Sequence, residues 1–266
     1  MKNIKGVLFD VDGTLMDSST NKISESTQLA IAKLHEKNIS VIIATGRNHF
    51  ALGYQLDALK PDYVVSCCGA LDYDCINNKQ LTYHPMALAD VNVLIETATK
   101  VNAPLLFKFD DAMYLYNNWE AIPWINPTFN KTINTDVYKT HQNDRHLTGN
   151  LPLTAMIYAD ESVIEELRCK TNLQYIPAGV DGYDIVNIGI NKASGAQDLF
   201  ASLNANKEDY IVFGDHYNDM EIFAYMPYCI AMGNAVDELK AIAYDVTDAV
   251  DNDGIYNALV KYGIIE

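Results

Sequence analysis

The chain opens with apolar and polar positions in a strand-and-helix rhythm. Gly6–Phe9 (GVLF) is a short apolar strand that stops at Asp10. Ala30, Ile31 and Leu34 then share one face of a helical stretch over Ser24–Asn38. Ile39–Ala44 (ISVIIA) predicts a second buried strand. Leu52, Leu56 and Leu59 recur at helical spacing, so a helix is predicted over Arg47–Leu59, closed by Lys60-Pro61. Asp62–Ser66 (DYVVS) is a third strand. Near-continuous apolar strands alternating with amphipathic helices predict a parallel sheet covered on both faces.

The rhythm changes after His84-Pro85. A helix over Leu88–Asn102 is followed by strands Leu105–Phe109 and Met113–Tyr116. The same order returns as a helix over Ser162–Lys170, with Asp160 as its cap, and strands Leu173–Ile176 and Tyr183–Gly189. The polar stretch Asn117–Asn150 between them yields no element. The first rhythm then resumes with helix Ala193–Leu203, strand Tyr210–Phe213, helix Tyr217–Tyr225, strand Tyr228–Met232, and helices Val236–Ala243 and Ile255–Lys261. We expect an α/β, doubly wound core built from residues 1–83 and 188–266, with an α+β domain over 84–187 inserted between them.

With 49% hydrophobic and 20% charged residues in a chain of 266, a disordered chain is excluded. There are 35 acidic residues against 19 basic ones, a formal charge of −16. Such a surface repels phosphate backbones and anionic lipids, so neither nucleic acid nor membrane is expected as a partner. No apolar run reaches the ~18 residues of a membrane span, and the first residues lack a secretion leader, so the expected location is cytoplasmic. Five cysteines, Cys67, Cys68, Cys75, Cys169 and Cys229, are an odd set without zinc-type spacing and are expected to be reduced.

An acidic chain that handles an anion needs a cation, and two segments supply its ligands. Asp10-Val11-Asp12-Gly13-Thr14 follows the first strand, and residues two apart in an extended segment face the same way. Two such carboxylates resist joint ionisation unless a cation joins them. Gly214-Asp215-His216-Tyr217-Asn218-Asp219 follows the YIVF strand, and its Asp215 and Asp219 can reach one ion. Oxygen ligands alone suit Mg²⁺ better than zinc. Thr45-Gly46-Arg47 ends the second strand at a helix start, where a hydroxyl and free N–H groups can cradle phosphate. Taken alone, this segment reads better as a loop with an exposed arginine. Lys192, at another helix start, opposes the dipole and suggests a facing anion, although a solvated lysine fits too.

Together, DVDGT, TGR, the lysine of NKASG and GDxxND resemble the haloacid dehalogenase superfamily of phosphohydrolases. The inserted domain and the run Ala231-Met232-Gly233-Asn234-Ala235 are similar to its Cof-type branch, which carries an α/β cap on a Rossmann-like core and includes many sugar phosphatases. The resemblance implies that Asp10 is the nucleophile and forms an aspartyl-phosphate. Asp12 would protonate the leaving alcohol and then activate water. Thr45, Gly46, Lys192 and Asn218 would bind the phosphoryl group. Asp10, the Asp12 carbonyl and Asp215 would bind Mg²⁺, with Asp219 in support. The implied activity is hydrolysis of a small phosphorylated metabolite, with a sugar phosphate foremost.

Three positions depart from the family pattern. Cys68-Gly69-Ala70 stands where Asn-Gly-Ala is frequent, His216 where a small residue is usual, and Ala193 where glycine is common. In the cap, Trp119, Trp124, Tyr114 and Tyr116 are read as core before stacking partners, and His141, Arg145 and His146 as a solvated loop before an anion grip. Two other activities compete with hydrolysis. A phosphotransferase or mutase would pass the phosphoryl group to another hydroxyl. A receiver-like module would keep it, but an acid/base at Asp12 works against that.

Overall fold

The fold is described from a computed structural model covering residues 3–121, 138–139, 142–178 and 181–266. The chain divides into two compact units, Met1–Thr82 with Asn191–Glu266, and Tyr83–Ile190. In chain order the first segment contains β1 (Gly6–Phe9), α1 (Glu25–Glu36), β2 (Ser40–Ala44), α2 (Tyr54–Ala58), β3 (Tyr63–Ser66), β4 (Leu71–Asp74) and β5 (Lys79–Tyr83). The second unit follows with α3 (Leu88–Val101), β6 (Leu105–Lys108), β7 (Met113–Asn117), β8 (Tyr138–Lys139), β9 (Thr154–Tyr158), α4 (Glu161–Lys170), β10 (Leu173–Pro177) and β11 (Gly182–Asn187). The chain then returns through α5 (Lys192–Leu203), β12 (Tyr210–Gly214), α6 (Met220–Tyr225), β13 (Cys229–Ala231), α7 (Asp237–Ile242), β14 (Asp245–Val246) and α8 (Gly254–Lys261).

Among the described residues the first unit's sheet runs β14-β13-β12-β1-β2-β3-β4-β5. Every pairing from β14 to β3 is parallel, and β4 adds antiparallel. Period-two alternation sends neighbouring residues to opposite faces. Val7, Phe9, Ile43 and Phe213 join a core with Ile31 and Leu34 of α1 and Leu259 of α8. Leu8, Ile42 and Val212 join the other core with Leu199 of α5 and Phe223 of α6. This is the expected α/β parallel-sheet core with helices on both faces.

The second unit's sheet runs β10-β11-β9-β6-β7-β8 and is antiparallel apart from β7 with β8. Phe107, Ala155, Ile157 and Ile185 line its core with Val91 and Leu94 of α3 and Ile164 and Leu167 of α4. No helix among the described residues is long and apolar enough to cross a membrane.

The structure corrects several elements. The helix predicted over Arg47–Leu59 is a single 3-10 turn, His49–Ala51, and the short α2, because Gly53 between them adopts φ +90°. The stretch before Tyr225 likewise begins as a 3-10 turn, Tyr217–Asp219, before α6. Asp160 occupies the cap position of α4, but its side chain makes no capping bond. Strands β4, β5, β8, β9 and β14 were not predicted. Trp124 and His141 lie outside the described residues, as does the side chain of Trp119.

Candidate active site

The carboxyl ends of β1 and β12 lie side by side, since Phe9 pairs with Phe213 and the Asp10 amide donates to the Phe213 carbonyl at 3.0 Å. That pairing puts Asp10, just past one strand, beside Asp215, just past the other. Open parallel sheets bind ligands at this end. The carboxylates of Asp10, Asp215 and Asp219 are buried, with ligand atoms within 4.8 Å of one another. Lys192, the first residue of α5, is buried with them. Its Nζ donates to Asp10 Oδ1 and, at 2.7 Å, to Asp219 Oδ1.

Local hydrogen bonds fix each carboxylate. The amides of Asp215 and His216 donate to Asp219 Oδ2 at 3.0 and 3.2 Å. The Thr14 hydroxyl donates to Asp215 Oδ1 at 3.1 Å. Asn234 Nδ2 donates to the Gly13 carbonyl at 2.8 Å and reaches Asp215 Oδ2 at 3.5 Å. A Cβ on Gly13 would lie 2.1 Å from Asp215 Oδ2, and its φ is +92°, so the turn after β1 admits only glycine. Sequence reasoning gave Thr14 and Asn234 no role. Both stand in the motif segments, but only the fold joins positions so far apart.

Burial pushes Asp10 up to about 7, against the pull of Lys192 and with the charge of Asp219 adding to the rise. Burial likewise pushes Asp215 up to about 6, again aided by Asp219. For Lys192, burial works against the charge, but Asp10 and Asp219 outweigh it and hold the ammonium above its usual range. Three buried carboxylates thus share one ammonium. A divalent cation among them would relieve that excess, and the all-oxygen donor set fits Mg²⁺.

Asp12 stands apart. After Asp10 the chain turns, with the Thr14 amide donating to Val11 O and the Leu15 amide to Asp10 O, so the two-residue alternation ends there. The Asp10 side chain is 7% exposed, whereas that of Asp12 is 58% exposed and accepts from Arg47 Nη2 at 2.6 Å. Thr45 is buried at the end of β2, and its Oγ1 accepts from the Arg47 amide at 3.1 Å. Gly46 lies beneath Cys68, whose Sγ would be 3.3 Å from a Cβ placed there. Asn218 is exposed on the 3-10 turn, and the exposed His216 ring sits edge-on to Tyr217 at 5.1 Å.

In the second unit Tyr114 is buried, as the core reading expected, and it meets the buried Phe109 edge to face at 4.9 Å. Arg145 pairs with Asp111 at 3.0 Å and lies over the Tyr114 ring. His146 is buried beside the Tyr116 hydroxyl, 2.9 Å away, so it does not belong to a solvated loop.

The family model for haloacid dehalogenase-like hydrolases matches residues 7–259 and therefore spans both acidic segments. The chain belongs to this family. This hydrolase is 27% identical over 264 residues to the putative phosphatase YkrA of Bacillus subtilis, covering 98% of this chain and 99% of that one. It is 27% identical over 272 residues, 96% of each chain, to the B. subtilis 5-amino-6-(5-phospho-D-ribitylamino)uracil phosphatase YitU. Among solved structures it resembles the HAD subclass IIB sugar phosphatase BT4131 with a TM-score of 0.81 and 22% identity, over 98% of this chain and 100% of that one. At that identity the likeness concerns the fold.

Proposed function

We propose that this hydrolase is a Mg²⁺-dependent phosphatase that cleaves a small phosphomonoester, a sugar or polyol phosphate, through a phosphorylated Asp10. The observation that carries this reading is the buried Asp10, held by Lys192 at the carboxyl end of β1 within one cluster with Asp215 and Asp219. An Asp10 oxygen attacks phosphorus as the bond to the leaving alkoxide breaks, and Asp12 gives that oxygen its proton. Asp12 then takes a proton from water, which attacks phosphorus and releases phosphate from Asp10. Splitting the hydrolysis this way replaces one hard step with two easier ones.

Lys192 orients Asp10 and offsets charge on the phosphoryl oxygens, while Thr45, the Gly46 amide and Asn218 receive them. Asp10, Asp215 and the Asp12 carbonyl would hold Mg²⁺, with Asp219 in support. The ion would neutralise phosphoryl charge, on which such transfers chiefly depend. The unit Tyr83–Ile190 acts as the cap that selects the leaving alcohol. The substrate class follows the phosphorylated ribityl compound and the sugar phosphates named for YitU and BT4131.

The test is phosphate release from a panel of sugar, polyol, nucleotide and cofactor phosphates, with Mg²⁺ or EDTA and with Asp10→Asn as the blank. Release that needs the metal and disappears in Asp10→Asn is expected. Release that survives Asp10→Asn refutes the nucleophile, and a panel without release refutes the activity.

A further inference from the structure

We propose that Arg47 is the positioning residue for Asp12, tying the acid/base to the loop that holds the phosphoryl group. The proposal rests on the Asp12 role set out above. Arg47 is held from several sides. Its Nη2 donates to Asp12 Oδ1 at 2.6 Å and its Nη1 to the Leu52 carbonyl at 3.2 Å. Its amide donates to Thr45 Oγ1 at 3.1 Å, and its carbonyl accepts from the Cys67 amide at 2.9 Å. The Cys68 amide in turn donates to the Thr45 carbonyl at 3.0 Å, so the β3 corner clamps the whole Thr45–Arg47 loop.

Stability does not account for this ion pair. Its side chains are 30% and 58% exposed, and exposed pairs add little to folding. Orientation does account for it. The acid/base must lie within hydrogen-bond reach of the leaving oxygen, and a misplacement of about 1 Å can cost roughly 100-fold in rate. Asp12 is the exposed carboxylate of the site, beyond the network that fixes Asp10, Asp215 and Asp219. Arg47 supplies the missing restraint, with one nitrogen on the acid and another on Leu52 of its own loop. A lysine could not make both bonds with a planar fork.

The test compares kcat/KM for glucose 6-phosphate, whose alkoxide needs a proton, with that for p-nitrophenyl phosphate, whose leaving group does not. Arg47→Met should lower the first value about 10- to 100-fold and the second less than about 3-fold. In an Asp12→Asn background, Arg47→Met should add less than about 3-fold on glucose 6-phosphate. Arg47→Lys should show the same skew at smaller size, and serves if Arg47→Met does not fold. Equal losses on both substrates, or losses that multiply with Asp12→Asn, overturn the proposal by making Arg47 a loop support or a substrate contact. An inactive wild type on both substrates overturns the phosphatase reading and this proposal with it. An active wild type with equal losses overturns the positioning role alone.

Discussion

Asp72 offers a test of the core that is independent of the chemistry. It lies on β4, fully buried, with the Thr82 hydroxyl donating to its Oδ2 at 2.8 Å. Its Oδ1 is buried without a hydrogen-bond partner among the described residues. Burial, partly offset by Thr82 and helped by the charge of Asp198, pushes it from 3.8 to about 8. Below 3.8 the folded and unfolded chains are both protonated there, and the stability is fully present. Between 3.8 and about 8 the unfolded chain ionises while the folded chain keeps its proton, so stability falls by up to about 1.4 kcal/mol per pH unit. By pH 7 the accumulated loss is at most about 4 kcal/mol. Asp72→Asn cannot ionise and should escape this loss. Urea unfolding at several values from about pH 5 to about pH 7.5 would give the stability difference between variant and wild type, in which shared titrations cancel. That difference should grow in favour of Asn by about 1.5–3 kcal/mol across the range. A difference that stays flat refutes the reasoning, since Asp72 would then be ionised in the folded chain.

Lys192→Met should strip two buried carboxylates of their ammonium, cost about 3–5 kcal/mol in urea unfolding, and abolish phosphate release. Unchanged stability would show that the lysine does not hold the cluster together. Gly69→Ala should cost about 2–4 kcal/mol, because φ is +96° and the new Cβ falls 2.1 Å from the Asn191 carbonyl. Gly53→Ala, at φ +90° with nothing within 4 Å, should cost only about 1 kcal/mol, and thermal melts of the two variants check the contrast. Mg²⁺ at about 100 times its Kd should stabilise the wild type by about 2.7 kcal/mol and Asp215→Asn far less. Equal stabilisation of both chains would place the ion elsewhere.

The parts of the fold that the sequence makes legible are those buried on both faces. Leu8, Ile42 and Val212 sit in strands at the sheet centre, where nearly every side chain is apolar and the run is unmistakable. The strands β4 (LDYD) and β5 (KQLTY) lie at the sheet's end, and their polar residues conceal them. Periodicity also misleads around Gly53, where Leu52 and Leu56 are both buried but belong to different turns of chain. At the site, the motif carboxylates were visible because strand ends fix where they stand. The bond from Asn234 to Gly13 spans 221 positions and the pair of Arg47 with Asp12 spans 35, and no local pattern records either.

The placement of β1 between β2 and β12 has a consequence for synthesis on the ribosome. Gly6 pairs with Ser40 on one side and with Tyr210 on the other. Translation at about 5–20 residues per second separates the emergence of β1 from that of β12 by roughly 10–40 s. Throughout that interval one edge of β1 is an open template for any passing strand, a known route to aggregation. The intervening unit has its own sheet and core, so it can fold during the wait. A translation product released early would display Asp10 without Lys192, Asp215 or Asp219, and would be both sticky and inert. Synthesis of the segment that carries Lys192, Asp215 and Asp219 is therefore the event that creates the acidic cluster.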